Sequence, residues 1–141
     1  AALAAGASFA VVRRPGRLVA WLTAGSGVLA AAAAIPAILW VVAPHAYETP
    51  QHLCPFCLLH ADVGGLGWPL FGALFVAAVA GAAVGLVESQ RRASGAPDAA
   101  LALERRLGRW SAASWALALV LATLPVVRYA WVTGGASLYG G

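Results

Sequence analysis

Hydrophobic residues form three long stretches along the chain, and each stretch is free of charged side chains. They cover residues 18–43, 63–87 and 110–127, which are 26, 25 and 18 residues long. About 20 helical residues cross the hydrocarbon core of a bilayer, so the first two stretches suffice. The third suffices when residues 128–132 extend it, because an arginine near a helix end can reach the interface. Since lipid offers no hydrogen bonds to an open backbone, the pattern predicts three membrane-spanning helices, over 18–43, 63–87 and 110–132.

Composition agrees with this pattern. Hydrophobic residues make up 62% of the chain and charged residues only 10%. Soluble domains carry about 45–50% hydrophobic and about 25% charged residues. So few charges cannot cover a water-facing surface, which excludes an ordinary soluble domain, a disordered tail and a nucleic-acid-binding module. A length of 141 residues allows one domain. The predicted fold is an all-α polytopic transmembrane helical bundle that comprises residues 1–141.

The first twelve residues are also apolar, and they precede the first arginines. A secretory signal peptide has its charges before its apolar stretch, so this order does not fit one. Two interpretations stay open: the remnant of a fourth membrane helix, and a short interfacial helix. The first would make the protein a four-helix bundle.

The arginines predict an orientation. Eight of the nine lie before the first span or between the second and third: Arg13, Arg14, Arg17, Arg91, Arg92, Arg105, Arg106 and Arg109. Cytoplasmic loops are rich in Lys and Arg, so the inner loop 88–109 should face the cytoplasm of a bacterial-type inner membrane. The loop 44–62 has neither residue and should face outward. Aromatic residues should form interfacial belts, with Trp40, Tyr47, Trp68, Tyr129 and Trp131 outside and Trp21 and Trp110 inside.

Two further patterns concern helix packing. Small residues recur every four positions along the second span, at Ala73, Ala77, Gly81 and Gly85. Such a face lets another helix approach closely, and we expect it to contact the first or third span or other membrane subunits. In the inner loop, Ala100, Leu103, Leu107 and Trp110 form an apolar stripe. This stripe predicts an amphipathic helix on the inner surface that continues into the third span, either solvated or bound to acidic lipid or a partner.

The loop 44–62 holds the only chemical constellation in the sequence. Both cysteines and all three histidines fall within 16 residues, in the segment from His45 to His60. Its centre is His52-Leu53-Cys54-Pro55-Phe56-Cys57-Leu58-Leu59-His60. Three chemistries fit these residues.

The first chemistry is thiol–disulfide exchange. Cys54 would be the N-cap of a helix, whose amides would stabilise its thiolate and make it the nucleophile. Cys57, one turn later, would be the resolving thiol. His60 and His52 would carry protons. The catalytic candidates are therefore Cys54, Cys57 and His60.

The second chemistry is metal binding, and the third is purely structural. His52, Cys54, Cys57 and His60 supply the two thiolates and two imidazoles of a zinc site, and thiolates also suit copper. These four ligands span only nine residues, which is tighter than most zinc sites. In the third interpretation, a disulfide between Cys54 and Cys57 only pins the loop.

The placement of the cysteine pair resembles that in the disulfide bond formation protein B family. Those proteins are helical membrane bundles that pass electrons from a cysteine pair to a quinone. Cys54 and Cys57 match the pair in that family's first outer loop. The resemblance covers the topology of the three spans, and it implies a quinone as cofactor and an external thiol protein as partner. This chain lacks that family's second cysteine pair, its fourth span and its Gln-Arg pair after the second cysteine, where His60 and Ala61 stand.

Two functions from different classes remain open at this point. One is a small membrane protein for thiol–disulfide redox or soft-metal handling, with quinone, zinc or copper as the candidate cofactor. The other is a non-enzymatic accessory subunit of a respiratory or photosynthetic membrane complex, with the cysteine pair as a structural disulfide. In both, the bilayer surrounds the protein and nucleic acid is not a partner.

Overall fold

A computed structural model describes residues 1–91 and 95–139. Its α-helices are α1 (Ala2–Arg13), α2 (Arg17–Ala37), α3 (Ala43–Tyr47), α4 (Gly67–Gln90) and α5 (Pro97–Val132). The described part of the chain contains no strand. The prediction of an all-α bundle is confirmed.

Three helical segments are long and apolar enough to span a membrane. They are Arg17–Tyr47 with 31 residues, Gly67–Gln90 with 24 and Pro97–Val132 with 36. The first combines α2 and α3, which are joined by one π-helical turn from Ile38 to Val42. This wider turn follows Pro36, which has no N–H to donate to the preceding turn. The prediction of three span-length helices is confirmed, although the first and third extend beyond their predicted bounds and the second is shifted from 63–87 to Gly67–Gln90.

Helix α1 packs inside the bundle, which agrees with the four-helix interpretation of the N-terminal segment. Its buried residues Ala4, Ser8 and Val11 face α5 and α2. The approach to α5 is close because α5 has a glycine there: a Cβ on Gly108 would lie 3.1 Å from the Ser8 carbonyl oxygen. The 12 residues of α1 are about 18 Å long. Helix α1 is a fourth, shorter helix of the bundle.

Hydroxyl groups connect α1 to α2 and α5, and α5 to α4. The Ser111 hydroxyl donates to the Ala77 carbonyl at 3.0 Å and lies 3.0 Å from the Ser8 hydroxyl. The Thr23 hydroxyl lies 3.0 Å from the Ala7 carbonyl. A hydroxyl has one proton to donate, and these groups are buried where water cannot replace a lost partner. The contacts therefore fix how α1 sits against α2 and α5, and how α5 sits against α4.

The face of small residues on α4 is buried within the chain. A Cβ on Gly81 would lie 3.2 Å from the Ser111 hydroxyl oxygen, and one on Gly85 would lie 2.9 Å from the Ala24 Cβ. Ala73 and Ala77 are also buried. Within the chain, α2 and α5 pack against this face, as expected for a face that contacts the first and third spans. Binding of other subunits stays a prediction.

The bundle has two chemically different ends. We call one the arginine end, because the last turn of α1 and the start of α2 meet there with the end of α4 and the start of α5. Its arginines are Arg13, Arg14, Arg17, Arg91, Arg105, Arg106 and Arg109. Arg92 lies outside the described residues. We call the opposite end, with the segment between α3 and α4, the cysteine end.

The start of α5 does not follow the predicted amphipathic pattern. Leu103 and Trp110 from the predicted apolar stripe are 44% and 58% exposed, whereas Glu104 is fully buried. The buried row of α5 is Glu104, Gly108, Ser111, Trp115 and Ala118. In a bilayer, small and polar residues face neighbouring helices while large apolar ones face lipid, so the assigned face is wrong. The prediction that this helix continues into the third span is confirmed.

Five of the six tryptophans are exposed. Trp21, Trp40, Trp68, Trp110 and Trp131 are 51–87% exposed, as residues facing lipid or its interface should be. Trp115 alone is buried, at 1% exposure, beside Ala77 in the centre of the bundle.

Candidate functional site

The cysteine-bearing segment is anchored to the bundle by apolar and polar contacts. Leu58 is fully buried in a cluster with Val42, Leu70 and Ala118. The start of α4 comes so close that a Cβ on Gly67 would lie 2.9 Å from the Leu58 carbonyl carbon. None of these contacts involves sulfur, so the segment keeps its place whether or not a disulfide is present.

Tyr47, at the end of α3, is a second anchor. Its hydroxyl donates to the Cys57 carbonyl at 2.8 Å and lies 3.4 Å from Asp62 Oδ1. Its ring stacks on His52, with ring centroids 3.8 Å apart. Trp68 adds a third contact, since its indole N–H donates to the Leu59 carbonyl at 3.2 Å. Side chains from α3 and α4 thus hold the backbone on either side of Cys57.

Cys54 and Cys57 lie 2.8 Å apart, both as free, partly exposed thiols. Pro55 and a 3₁₀ turn from Phe56 to Leu59 bring them together. The two sulfurs can therefore exchange a bond with each other and with a group from solvent. The structure confirms that Cys54 and Cys57 are neighbours.

The two thiols have different acidities. The hydrogen bond from the Cys57 thiol lowers the pKa of Cys54 most, and the backbone N–H groups of Cys57 and Phe56 lower it further, against a smaller effect of burial. The same thiol hydrogen bond raises the pKa of Cys57, and partial burial and the charges of Cys54 and Asp62 add to that shift. Of the two thiols, Cys54 therefore has the lower pKa and Cys57 the higher one.

The expected helix N-cap at Cys54 is wrong. The helical turn has only four residues, begins at Phe56 and has Pro55 as its N-cap residue. A turn this short has little dipole, since a macrodipole needs aligned peptides over a longer helix. The Cys57 thiol and two individual N–H groups take over the role that the sequence assigned to a helix terminus.

The histidines are placed less simply than the sequence predicts. His52 stacks on Tyr47, and its Nε2 is buried without a hydrogen-bond partner. The His60 side chain is exposed, and its backbone N–H donates to the Cys57 carbonyl at 3.0 Å. Within the described residues, no hydrogen bond joins either imidazole to a cysteine. The role of His60 in catalysis stays a prediction.

The positions of these side chains also bear on the predicted zinc or copper site. Within 1–91 and 95–139, no three His, Cys, Asp or Glu side chains converge as a metal site would require. The two thiols are adjacent, but the His52 ring is stacked on the Tyr47 ring. A zinc or copper site at His52, Cys54, Cys57 and His60 stays a prediction that needs the imidazoles to move.

An apolar cavity of about 340 Å³ adjoins the cysteine segment. Pro55 and Phe56 form its wall on the loop side, Ile35 and Leu39 contribute from the first span, and Phe71 contributes from α4. The residues between the two cysteines thus face both the thiols and a membrane-level cavity. Sequence analysis missed this cavity because its walls come from three separate segments.

A buried acidic pair at the arginine end was also missed. The carboxyl groups of Glu88 and Glu104 are in contact, and neither Glu104 oxygen has another hydrogen-bond partner. Arg91 Nε lies 3.1 Å from Glu88 Oε2. In sequence, Glu104 stands four residues before Gly108 and seven before Ser111. That row of small and polar residues was the signal that Glu104 faces inward.

Tyr47 is the third feature that sequence analysis did not assign to the site. A tyrosine at a predicted span end is typical of an interfacial anchor, and nothing local links it to a cysteine ten residues later.

Comparison of the chain with models of known protein families, with curated proteins and with solved structures finds no match.

Proposed function

We propose that the protein is a membrane thiol–disulfide oxidoreductase whose reacting groups are Cys54 and Cys57. The observation that carries this proposal is the asymmetry of the pair: two adjacent, partly exposed thiols with the pKa of Cys54 lowered and that of Cys57 raised. Asymmetric thiols of this kind are typical of redox-active pairs, whereas buried structural cysteines are inert.

The way the segment is anchored favours a redox role over a purely structural disulfide. Leu58, Tyr47 and Trp68 hold the segment through contacts that do not depend on sulfur. A disulfide adds little to a loop that is already fixed, and its opening costs the fold little. A bond that opens and closes without unfolding its loop is what an exchange reaction requires.

In the proposed reaction, an external dithiol is oxidised. One of its thiolates attacks Cys54 Sγ of the oxidised pair, the Cys54–Cys57 bond breaks, and Cys57 leaves and takes up a proton. The second thiolate of the partner then attacks the partner's own bonded sulfur. Cys54 leaves as a thiolate, so the partner gains a disulfide and the pair gains its two electrons. A low pKa makes Cys54 a good leaving group, and a high pKa keeps Cys57 protonated.

Reoxidation of the pair needs a two-electron acceptor, and the apolar cavity suits a lipid-soluble quinone. When bound, a quinone would accept two electrons and two protons from the dithiol and become a quinol. Pro55 and Phe56 would orient it beside the sulfurs, and the walls from Ile35, Leu39 and Phe71 would exclude water. His52 and His60 are the nearest candidates in sequence for moving protons.

The proposal includes an orientation. The arginine end faces the cytoplasm of a bacterial-type inner membrane, and the cysteine segment faces the oxidising outer space. What supports it is the charge distribution: seven described arginines lie at one end, while Arg128 is at the other, 4.0 Å from Glu48. An impermeant thiol reagent applied to intact cells should modify the reduced cysteines. Modification only after the cells are opened would reverse this orientation.

The reaction is tested with purified protein in lipid nanodiscs, a dithiol peptide and a short-tailed benzoquinone. The wild type should oxidise the peptide and form one quinol per peptide disulfide, measured by fluorescence and absorbance. The C54S/C57S variant should do neither, and the Ser26→Ala variant should behave as the wild type. If the wild type is no faster than C54S/C57S, the redox proposal fails.

A further inference from the structure

We propose that the arginine end of α5 carries a binding site for an anionic glycerophospholipid, centred on Arg106, Arg109 and Trp110. The proposal does not depend on the redox function. It rests on a cleft in the surface of α5, on the charges that line it, and on the apolar path that leads away from it.

What we call the cleft is a shallow, open depression on the surface of α5 between Arg106, Arg109, Trp110 and Ala113. These positions are three and four residues apart, so they lie on one face of a continuous helix. All four are exposed, and Trp110 is 58% exposed. Two guanidinium groups therefore flank an indole ring at the point where α5 changes from charged to apolar residues, which is where lipid headgroups lie.

The two arginines are available for an anionic ligand. Only two ion pairs are present within the described residues, Arg91 with Glu88 and Arg128 with Glu48. The nearest acid along α5, Glu104, is fully buried and turned towards Glu88. Because no carboxylate neutralises Arg106 and Arg109, their planar guanidinium groups can bind phosphate oxygens in bidentate fashion.

The same face of α5 continues as an apolar path. Leu117, Val120 and Leu124 follow Ala113 at spacings of four, three and four residues, and they are 49%, 55% and 50% exposed. An acyl chain whose headgroup lies at the arginines would extend along these side chains. This continuity points to a lipid rather than to a soluble phosphate, because a soluble anion would use only the arginines. Basic clefts beside membrane helices are a common form of anionic lipid site.

The test is native mass spectrometry of the protein from mixed phosphatidylglycerol and phosphatidylcholine of equal chain length. The wild type should retain phosphatidylglycerol in preference, and R106Q/R109Q should retain it roughly thirtyfold less, at about 1 kcal/mol for each arginine. R14Q/R105Q is the matched control, because it removes two charges from the same end but none from the cleft. It should retain the wild-type preference.

Two further arms make the outcome unambiguous. Inorganic phosphate should not displace the retained lipid; displacement would mean that the site recognises a free anion, and the lipid proposal would fail. An equal loss in R14Q/R105Q and R106Q/R109Q would also overturn it, because the preference would then follow net charge alone. Unfolding in phosphatidylcholine alone should be the same for both double variants. The single variant R109Q repeats the test if R106Q/R109Q unfolds early.

Discussion

The two ends of the bundle are held together by different means. At the arginine end, helices touch through small residues and hydroxyl groups: Gly85 against Ala24, Gly108 against Ser8, and Ser8 against Ser111. At the cysteine end, larger side chains surround a segment of short turns, with Leu58 buried and Cys54 and Cys57 partly exposed.

This difference has a physical consequence. Close backbone packing leaves no room for movement without the loss of many contacts, so the arginine end should be rigid. The cysteine segment is fixed at a few points and leaves its sulfurs accessible. A reaction that makes and breaks a bond between Cys54 and Cys57 needs both properties, a rigid frame and a reachable pair.

The largest effect is expected where the packing is closest. Gly85→Leu places a side chain where even a Cβ would lie 2.9 Å from the Ala24 Cβ. Overpacking of this kind costs about 1–3 kcal/mol or more, which exceeds the gain of about 1 kcal/mol from removing a helical glycine. The free energy of unfolding in mild detergent should fall accordingly.

Gly72→Leu is the matched control on the same helix. Gly72 is exposed, and a Cβ there would meet nothing within 4 Å. This variant should be as stable as the wild type or slightly more stable. Equal destabilisation by both substitutions would show that the arginine end is not the tightly packed region.

The second effect concerns the buried acidic pair. In the wild type, the Glu104 carboxyl group contacts that of Glu88 and has no other hydrogen-bond partner. Glu104→Gln supplies an N–H group that can donate to the Glu88 carboxyl group. One satisfied hydrogen bond contributes about 1 kcal/mol, so the free energy of unfolding at neutral pH should rise by about that amount. Glu48→Gln, at an exposed position, changes the charge equally and should have little effect, since its exposed ion pair with Arg128 spans 4.0 Å. A clear loss of stability in Glu104→Gln would mean that the bundle needs a charge at this position.

The sequence predicts the helices of this protein well and their contacts less well. Span length and hydropathy depend only on neighbouring residues, so the three long helices are predictable. Which side of α5 faces inward is not predictable in the same way: the stripe of Leu103 and Trp110 faces outward, and Glu104 is buried. A rule that places large apolar residues inside holds for soluble helices and reverses in lipid.

The candidate site shows the same division. The spacing of Cys54 and Cys57 places them within one turn, so their proximity follows from the sequence. The origin of their asymmetry does not, because it depends on the direction of a thiol hydrogen bond and on two N–H groups of a 3₁₀ turn. The anchor Tyr47 and the cavity beside Phe56 arise only when separate segments fold together.

The smallest stability effect is expected at the cysteine end. Tyr47→Phe removes the hydrogen bond to the Cys57 carbonyl and leaves the ring stack with His52 in place. A lost hydrogen bond costs about 1 kcal/mol, so amide exchange at His60, which donates to the same carbonyl, should accelerate. Tyr129→Phe is the control, since the Tyr129 hydroxyl makes no hydrogen bond within the described residues. Equal acceleration in both variants would remove Tyr47 from the set of anchors.

The most direct test of the proposed function is the pH dependence of alkylation at each cysteine of the reduced wild type, measured by peptide mass spectrometry. Only a thiolate is alkylated, so a lowered pKa lets Cys54 react at a pH below the usual range of a thiol, while Cys57 reacts only above it. Cys57→Ala should move the Cys54 profile towards higher pH, because alanine removes the thiol hydrogen bond that stabilises the thiolate. The account predicts that Cys54 is modified first throughout the acidic and neutral range. Faster modification of Cys57, or identical profiles for the two cysteines, would contradict it.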